Sequence, residues 1–267
     1  MGAVATGCGA AWLARLSGGQ EVGSSNLPSP TMCGRFVATT APQQLASLFD
    51  AVLDDAPDAV ATEPFSPNYN VAPTTQVTTL AFEERRVLRR AHWGLLPAWS
   101  KDRSRASSMI NARRETLAEK PSFRPLLAAH RCALLVDGYY EWRTTGVDPK
   151  AKYPKQPYFI RSRDSAPLAL AGLWTTWRDP ERDLAPVRSC AIITTSPNET
   201  LAAIHDRMPC VLDGDDLEEW LAPGDAPLHL LRMAGEDRLT AFTVSTDVNS
   251  VRNKGAHLIE PVRTTLF

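Results

Sequence analysis

The stretch CALLVDGYYEW at residues 132–142 decides how the fold is interpreted. Its first five residues are uniformly apolar, which is typical of a buried strand. The segment DGYYEW at 137–142 follows directly after this run and places a carboxylate, Glu141, between bulky aromatic residues. Such surroundings suit proton transfer, because desolvation makes the charged form of a carboxyl group costly. A structural ion pair is the alternative interpretation of Glu141.

Short apolar or alternating runs recur on both sides of this stretch, in a chain that contains 21 prolines. They predict strands at 34–38, 76–82, 86–93, 132–136, 157–160, 168–173, 187–194 and 239–244. Helical patterns interrupt them at 42–53, 111–119, 198–205 and 214–221, the last with Asp213 as its expected cap. Because strands and helices do not alternate regularly, the sequence predicts a single α+β domain with a β-dominated core.

The first 31 residues differ from the rest of the chain. They contain only Arg15 and Glu21 as charged residues and are otherwise rich in Gly, Ala, Ser and Pro, a composition that predicts disorder. The apolar stretch at 10–14 is too short for a signal-peptide core or a membrane span. A folded pattern begins directly after Met32. We therefore interpret 1–31 as a disordered leader or a mis-called extension, and expect one domain over 32–267.

The chain carries 29 Lys and Arg against 30 Asp and Glu, and this near-neutral balance excludes a histone-like polycation. The charge is nevertheless segregated. Residues 83–131 contain twelve basic and five acidic residues, whereas residues 206–237 contain two basic and nine acidic ones. One basic and one acidic surface, each simply exposed to water, would explain this pattern. The alternative is that the basic segment, which includes Trp93, Trp99 and Phe123, binds a polyanion whose bases stack on aromatic rings.

The five cysteines form no C-x-x-C pair, and the five histidines are scattered, so the sequence lacks zinc-ligand spacing. We expect neither a metal nor a cofactor. Cys132 and Cys190 lie in apolar runs and are predicted to pack in the core. Because so few cysteines are unlike a disulfide framework, we expect a reduced, cytoplasmic protein.

The stretch MCGRF at 32–36 places Cys33 directly after a methionine. If Met32 starts translation and is then removed, Cys33 carries a free α-amine beside its thiol. An α-amine with a pKa of roughly 7.7–8.0 is partly unprotonated at neutral pH. Together with the thiol it can close a five-membered thiazolidine ring on an aldehyde. A small apolar residue that opens a strand is the alternative interpretation of Cys33.

Four further motifs are NVAP at 70–73, WGLLPAW at 93–99, NARRE at 111–115 and HDRMP at 205–209. The Trp and Pro residues could form a wedge under a nucleobase, or be ordinary turn and core residues. Asn111 is either a helix cap or an amide that orients a neighbouring amine, while Arg113 reaches a phosphate. His205 is either structural or a proton shuttle near neutral pH.

Taken together with MCGRF and the GYYEW stretch at 138–142, these motifs occur in the order expected of one family. The sequence resembles the SRAP (SOS-response-associated peptidase) family, whose members form DNA–protein crosslinks at abasic sites. The resemblance extends from Met32 to about Leu221. It implies an α+β fold with a barrel-like, mainly antiparallel β core, flanking short helices and a positively charged groove for single-stranded DNA.

The resemblance also implies roles for individual residues. Cys33 would become N-terminal and condense, through its amine and thiol, with the ring-opened aldehyde of an abasic site. Asn111 would position the Cys33 amine, while Glu141 and His205 would move protons. The implied DNA-binding residues are Arg35, Arg113 and Arg114 at phosphates, and Pro73, Trp93 and Trp99 along the path of the strand, with Trp93 nearest the bases.

While residue 32 remains attached, Cys33 has an amide in place of an amine and cannot form the ring. Either translation starts at Met32 and the methionine is removed, or the chain cleaves itself before Cys33. In the second case the protein would have an autopeptidase activity in addition to its lyase-like chemistry on DNA. Two alternatives stay open: a cysteine-dependent peptidase or amidohydrolase with His205 as base, and a non-covalent single-stranded DNA-binding module. We expect a cytoplasmic monomer that joins the nucleoid on damaged DNA and has no membrane partner.

Overall fold

The computed structural model describes residues 34–53, 65–145 and 155–262. Within these ranges strands predominate: β1 Phe36–Ala38, β2 Val52–Leu53, β3 Asn68–Val71, β4 Gln76–Glu83, β5 Arg85–Trp93, β6 Asn111–Arg113, β7 Arg131–Val136, β8 Gly138–Thr144, β9 Lys155–Ser162, β10 Leu168–Trp177, β11 Val187–Thr195, β12 Met208–Pro209, β13 Val211–Leu212 and β14 Leu239–Thr243.

The helices are short. The α-helices are α1 Pro42–Leu48, α2 Glu199–Ala202 and α3 Gly214–Leu221. Single turns of 3₁₀ helix lie at Ala106–Ser108, Arg114–Thr116, Arg124–Leu126, Leu228–Leu230, Thr246–Asn249 and Ala256–Ile259. None of the helices in the described ranges has the length and apolar character needed to cross a membrane.

The larger sheet closes into a barrel. Its strands run in the order β12-β11-β10-β7-β4-β5-β2, and β5 also pairs with β11. That extra pairing joins Ser189 to His92 and Cys190 to Trp93 in parallel, so β11, β10, β7, β4 and β5 form a ring of five strands. The other neighbours in the ring pair antiparallel. This confirms the predicted α+β class with a barrel-like, mainly antiparallel core.

A second sheet of five antiparallel strands, in the order β14-β9-β8-β1-β3, shares a core with the barrel. Alternation along β7 places Cys132 and Leu134 in one apolar cluster and Ala133 and Leu135 in the other. Phe36 from β1 belongs to the first cluster, which therefore joins the two sheets. The second cluster is covered by α1 and α3.

The strands predicted from apolar runs are all present, with ends that move by a few residues. Cys132 and Cys190 are fully buried, as predicted from their apolar surroundings. Burial raises the pKa of the Cys132 thiol to about 12, so this side chain is an inert core residue.

The helix predicted at 111–119 is wrong. Residues 111–113 instead form β6, which pairs in parallel with β11, and only the single 3₁₀ turn Arg114–Thr116 follows. The pairing buries Ala112 completely beneath the barrel strands. Tertiary pairing has therefore overridden the local helical pattern. Asn111, considered as a helix cap, is the first residue of a strand.

The other helices are shorter than predicted or have different caps. The helix predicted at 42–53 ends at Leu48, because Asp50 adopts a φ of 47° and Val52–Leu53 pairs with β5. The helix predicted at 198–205 is limited to α2, which Asn198 caps by accepting a hydrogen bond from Leu201 N. The helix at 214–221 is confirmed as α3. Its N-cap Asp213 makes no capping hydrogen bond and binds Arg238 instead.

Candidate active site

Strand β8 carries Glu141 beside the beginning of β1. Antiparallel pairing joins Phe36 to Tyr139, and Tyr140 N donates to Arg35 O over 2.9 Å. Extending this register by two residues, beyond the first residue of β1, sets Gly34 opposite Glu141, whose side chain is buried. Cys33, the predicted nucleophile, precedes Gly34 in the sequence and lies outside the described residues.

Two other predicted site segments meet at the end of β11. Parallel pairing with β6 places Asn111 beside Ile192 and Arg113 beside Thr194. Strand β12, which consists of the last two residues of the HDRMP motif, pairs antiparallel with the last two residues of β11. The end of β11 thus has the Asn111 strand on one side and the His205 turn leading into β12 on the other.

An ion pair that the sequence did not reveal holds these two segments together. Arg207 donates from Nη1 to Glu115 Oε1 over 2.7 Å and from Nη2 to Glu115 Oε2 over 2.8 Å. Arg207 Nη2 also donates to Thr194 O over 2.6 Å. Hydrogen bonding to Arg207 lowers the pKa of the Glu115 carboxyl group. Since Arg207 and Glu115 both lie inside the predicted motifs, only their separation of 92 residues concealed the contact.

The His205 ring is about one-fifth exposed. Burial lowers its pKa, an effect that Lys155 strengthens and Asp206 opposes. Nδ1 accepts from Arg207 N over 3.2 Å and also lies 2.9 Å from Asp206 Oδ1. The first contact requires an unprotonated Nδ1 and the second a protonated one. Because the pKa is lowered, the neutral ring predominates at neutral pH, which suits a proton acceptor.

Arg35 does not have the exposed position expected of a phosphate-binding residue. The side chain is buried, and Nη1 donates to Asn70 Oδ1 over 2.7 Å and to Val248 O over 3.0 Å. Burial lowers the pKa of its guanidinium. Nη1 donates into the protein, and the prediction that Arg35 binds a phosphate stays a prediction.

Trp93 is buried as well. Its side chain is 0% exposed, and its expected place nearest the bases stays a prediction. The ring centroid lies 4.7 Å from that of Phe36, and Nε1 donates to Ile110 O over 3.1 Å. Since Phe36 begins β1 and Ile110 precedes Asn111, Trp93 supports the strands that carry two parts of the candidate site.

The loops that carry Pro73 and Trp99 are fastened to the backbone around Trp93. Thr74 N donates to Trp93 O over 2.8 Å, and Trp93 N donates to Thr75 O over 2.9 Å. Gly94 follows with a φ of 135°, and a Cβ at this position would lie 2.5 Å from Ala106 O. Only glycine fits there. Pro73 is half-buried on its turn.

Several predicted DNA-binding side chains are exposed. Trp99 is 62% exposed, and Arg113 and Arg114 are also exposed. Other residues of the basic segment bind groups within the protein. Arg131 is buried against backbone carbonyls, and Arg89 pairs with Glu83. The exposed basic residues of the segment are Arg85, Lys101, Arg103, Arg105, Arg113, Arg114, Lys120 and Arg124.

In the part of the chain that the structure describes, no group of three or more His, Cys, Asp or Glu side chains is arranged to hold a metal.

Comparison with protein-family models identifies the chain. The model of the SOS response associated peptidase (SRAP) family matches residues 32–251. The chain belongs to the SRAP family. Abasic site processing protein YoqW of Bacillus subtilis is 39% identical over 236 residues, which are 86% of this chain and 99% of YoqW. Abasic site processing protein YedK of Escherichia coli is 32% identical over 238 residues, covering 86% of this chain and 100% of YedK.

The family likeness extends to a vertebrate protein and to solved structures. Abasic site processing protein HMCES of Gallus gallus is 32% identical over 234 residues, 74% of this SRAP chain and 67% of HMCES. A protein from Bacteroides thetaiotaomicron shares the fold with a TM-score of 0.75 at 23% identity, over 86% of this chain and 100% of its own. A phage-related protein from Bordetella bronchiseptica matches with a TM-score of 0.59 at 30% identity, over 79% and 94% of the two chains.

Proposed function

We propose that the protein processes abasic sites in single-stranded DNA by capturing them covalently through Cys33. The SRAP membership and the names of YoqW, YedK and HMCES support the abasic-site role. One structural observation carries the chemical proposal. Extended by two residues, the register of β1 on β8 sets Gly34, which follows Cys33 in the sequence, opposite the buried Glu141.

The proposed reaction needs Cys33 as the first residue. Its α-amine attacks the aldehyde carbon of the ring-opened deoxyribose, and loss of one water gives a Schiff base. The Cys33 thiol then adds to the same carbon, and its proton passes to the nitrogen, which closes the thiazolidine ring. In sum, aldehyde, amine and thiol give the thiazolidine and one water.

Proton transfers accompany sugar-ring opening, water loss and ring closure. Glu141 is the group proposed to act beside the amine. The His205 ring is neutral at neutral pH and is proposed to take up a proton on the sugar side. Asn111, held on β6 beside the end of β11, is proposed to orient the amine. Glu141 and Asn111 lie on paired strands, and His205 lies in the turn that leads into β12.

The DNA-binding surface is proposed to consist of the exposed members of the predicted set. The exposed ring of Trp99 is available for base stacking, and Pro73 lies on a half-buried turn. Arg113 and Arg114 are exposed cations that can bind phosphates. Capture of the lesion by a cytoplasmic monomer during the response to DNA damage is part of the same proposal. Release of residues 1–32 by cleavage before Cys33 is its autopeptidase component.

A denaturing gel tests the proposal. The chain beginning at Cys33 is incubated with single-stranded DNA whose one uracil has been converted to an abasic site by uracil-DNA glycosylase. A shifted band that survives denaturant is expected, and it should be absent for Cys33→Ala and for a chain that retains residue 32. A crosslink formed by Cys33→Ala would contradict the proposal. Salt-sensitive binding without a covalent band would favour a non-covalent module instead.

A further inference from the structure

The NVAP motif contains a buried side chain, Asn70, to which the proposed chemistry gives no role. Asn70 lies on β3 beside β1 and is 1% exposed. Its Oδ1 accepts from Arg35 Nη1, and its Nδ2 donates to Val248 O over 3.2 Å, Ser250 O over 2.9 Å and Asn253 O over 2.8 Å. One amide therefore joins the beginning of β1 to a segment about 180 residues further along the chain.

Arg35 shares the same carbonyl partner. Its Nη1 lies 3.0 Å from Val248 O, while its Nε is buried without a hydrogen-bond partner. Among the described residues no carboxylate lies within 4.0 Å of this guanidinium. Within the described residues, the buried cation is held by neutral oxygens and by the Trp142 ring, whose centroid lies 6.0 Å from Arg35 Cζ. Its position therefore depends on the Asn70 amide, the backbone at Val248 and the Trp142 ring.

The same C-terminal segment also contacts β8 next to Glu141. Trp142 Nε1 donates to Asn249 Oδ1 over 2.7 Å. The segment is ordered by a 3₁₀ turn over Thr246–Asn249, capped by Ser245, and by complete burial of Val248. We call residues 245–253 the C-terminal brace. It contacts Arg35 just before β1, Asn70 on β3 and Trp142 on β8. It therefore reaches the beginning of β1 and both strands that pair with β1.

We propose that Asn70 is a positioning residue, which with the C-terminal brace fixes Arg35 and thereby the end of β1 that leads to Cys33. This inference rests on the proposed function. Covalent capture requires the amine and the aldehyde carbon to meet within a narrow range of distance and angle, and a displacement of about 1 Å can cost about 100-fold in rate. Asn70 acts through Arg35 and the backbone and does not touch the DNA.

The test compares Asn70→Ser with two other variants of the chain beginning at Cys33. Asn249→Ala removes a half-buried contact of the brace and leaves Asn70 intact. Thr79→Val is the matched control, because Thr79 is a buried hydrogen-bonding side chain of β4 that bonds to Arg89 O. Two quantities are measured for each: the rate of crosslinking at saturating abasic DNA, and the equilibrium affinity for the same DNA with a tetrahydrofuran analogue that lacks the aldehyde.

We expect Asn70→Ser and Asn249→Ala to slow crosslinking by about tenfold and about threefold, with affinity within about twofold of the parent chain. Thr79→Val should change neither quantity once its folded fraction is taken into account. If Asn70→Ser and Asn249→Ala both crosslink at the parent rate, the positioning role is overturned. Equal losses of crosslinking rate and DNA affinity would overturn it as well. If the parent chain forms no crosslink, the proposed function fails and this inference fails with it.

Discussion

Arg207 and Glu115, 92 residues apart in the sequence, form a two-point ion pair with N–O distances of 2.7 and 2.8 Å. The Arg207 side chain is 13% exposed and the Glu115 side chain 48% exposed. The pair connects the turn after β6 to the turn before β12. It therefore fixes the distance between the segments that carry Asn111 and His205.

Glu115→Ala is expected to slow crosslinking by about threefold to tenfold, because the His205 turn loses its anchor. The loss of folding stability should be only about 1 kcal/mol, since Glu115 is half-exposed and its charge is screened by water. Crosslinking kinetics on abasic single-stranded DNA and urea unfolding measure the two effects.

Glu218→Ala is the matched control, because Glu218 pairs with Arg86 at 3.8 Å and is 74% exposed. It should leave both rate and stability unchanged. A Glu115→Ala protein that crosslinks at the parent rate would show that the ion pair has no part in arranging the site.

The two tryptophans of the WGLLPAW motif should respond in opposite ways. Trp99→Ala is expected to weaken binding of abasic-analogue DNA by about 5- to 150-fold, the loss of one base stacked on an aromatic ring. Its stability should hardly change, because Trp99 is 62% exposed. Trp93→Ala should instead lower the free energy of unfolding by about 3–5 kcal/mol, since its ring fills the core against Phe36.

Fluorescence anisotropy of labelled DNA and thermal unfolding separate these outcomes. Unchanged DNA affinity in Trp99→Ala would remove this ring from the binding surface. Equal destabilisation by the two substitutions would contradict the burial difference.

Two neighbours should shift the His205 pKa in opposite directions. Burial is the main cause of its lowered pKa, Asp206 raises the pKa and Lys155 lowers it. Asp206→Asn is therefore expected to lower the pKa further and keep the ring neutral at more acidic pH. Lys155→Gln is expected to raise it. NMR titration of the His205 ring protons measures the change, and shifts in the same direction for both variants would contradict this electrostatic account.

Arg131 provides a test of the fold that should leave the chemistry intact. The buried guanidinium donates to Trp220 O, Ala128 O and Gly224 O at 2.7, 3.0 and 2.9 Å, and also to Leu127 O and Ala222 O. Arg131→Met leaves these carbonyls without their donor and should cost about 3 kcal/mol of stability. The folded fraction should crosslink at the parent rate. A selective loss of crosslinking without destabilisation would contradict a purely structural role.

The sequence predicted the barrel strands well, because β7, β10 and β11 carry apolar runs that are buried on both faces and β4 and β5 carry shorter or alternating ones. It failed at 111–119, where the pairing of β6 with β11 depends on a strand about 80 residues away. The same limit applies at the site. Motif order singled out Glu141 and His205 as candidates, but the burial of Arg35 and Trp93 and the contact between Arg207 and Glu115 depend on the tertiary arrangement. Asn70 lies within the NVAP motif, yet its partners lie in the C-terminal brace, whose sequence carries no comparable signal.

Mapping the covalent bond tests the central claim most directly. The chain beginning at Cys33 is reacted with abasic single-stranded DNA at neutral pH, then digested with nuclease, treated with iodoacetamide and cut with trypsin. The thiazolidine predicts that residues 33–35 carry the deoxyribose remnant with the loss of one water, and that the Cys33 thiol resists alkylation. A remnant on a lysine, or a Cys33 thiol that still alkylates in the crosslinked peptide, would contradict capture by amine and thiol together.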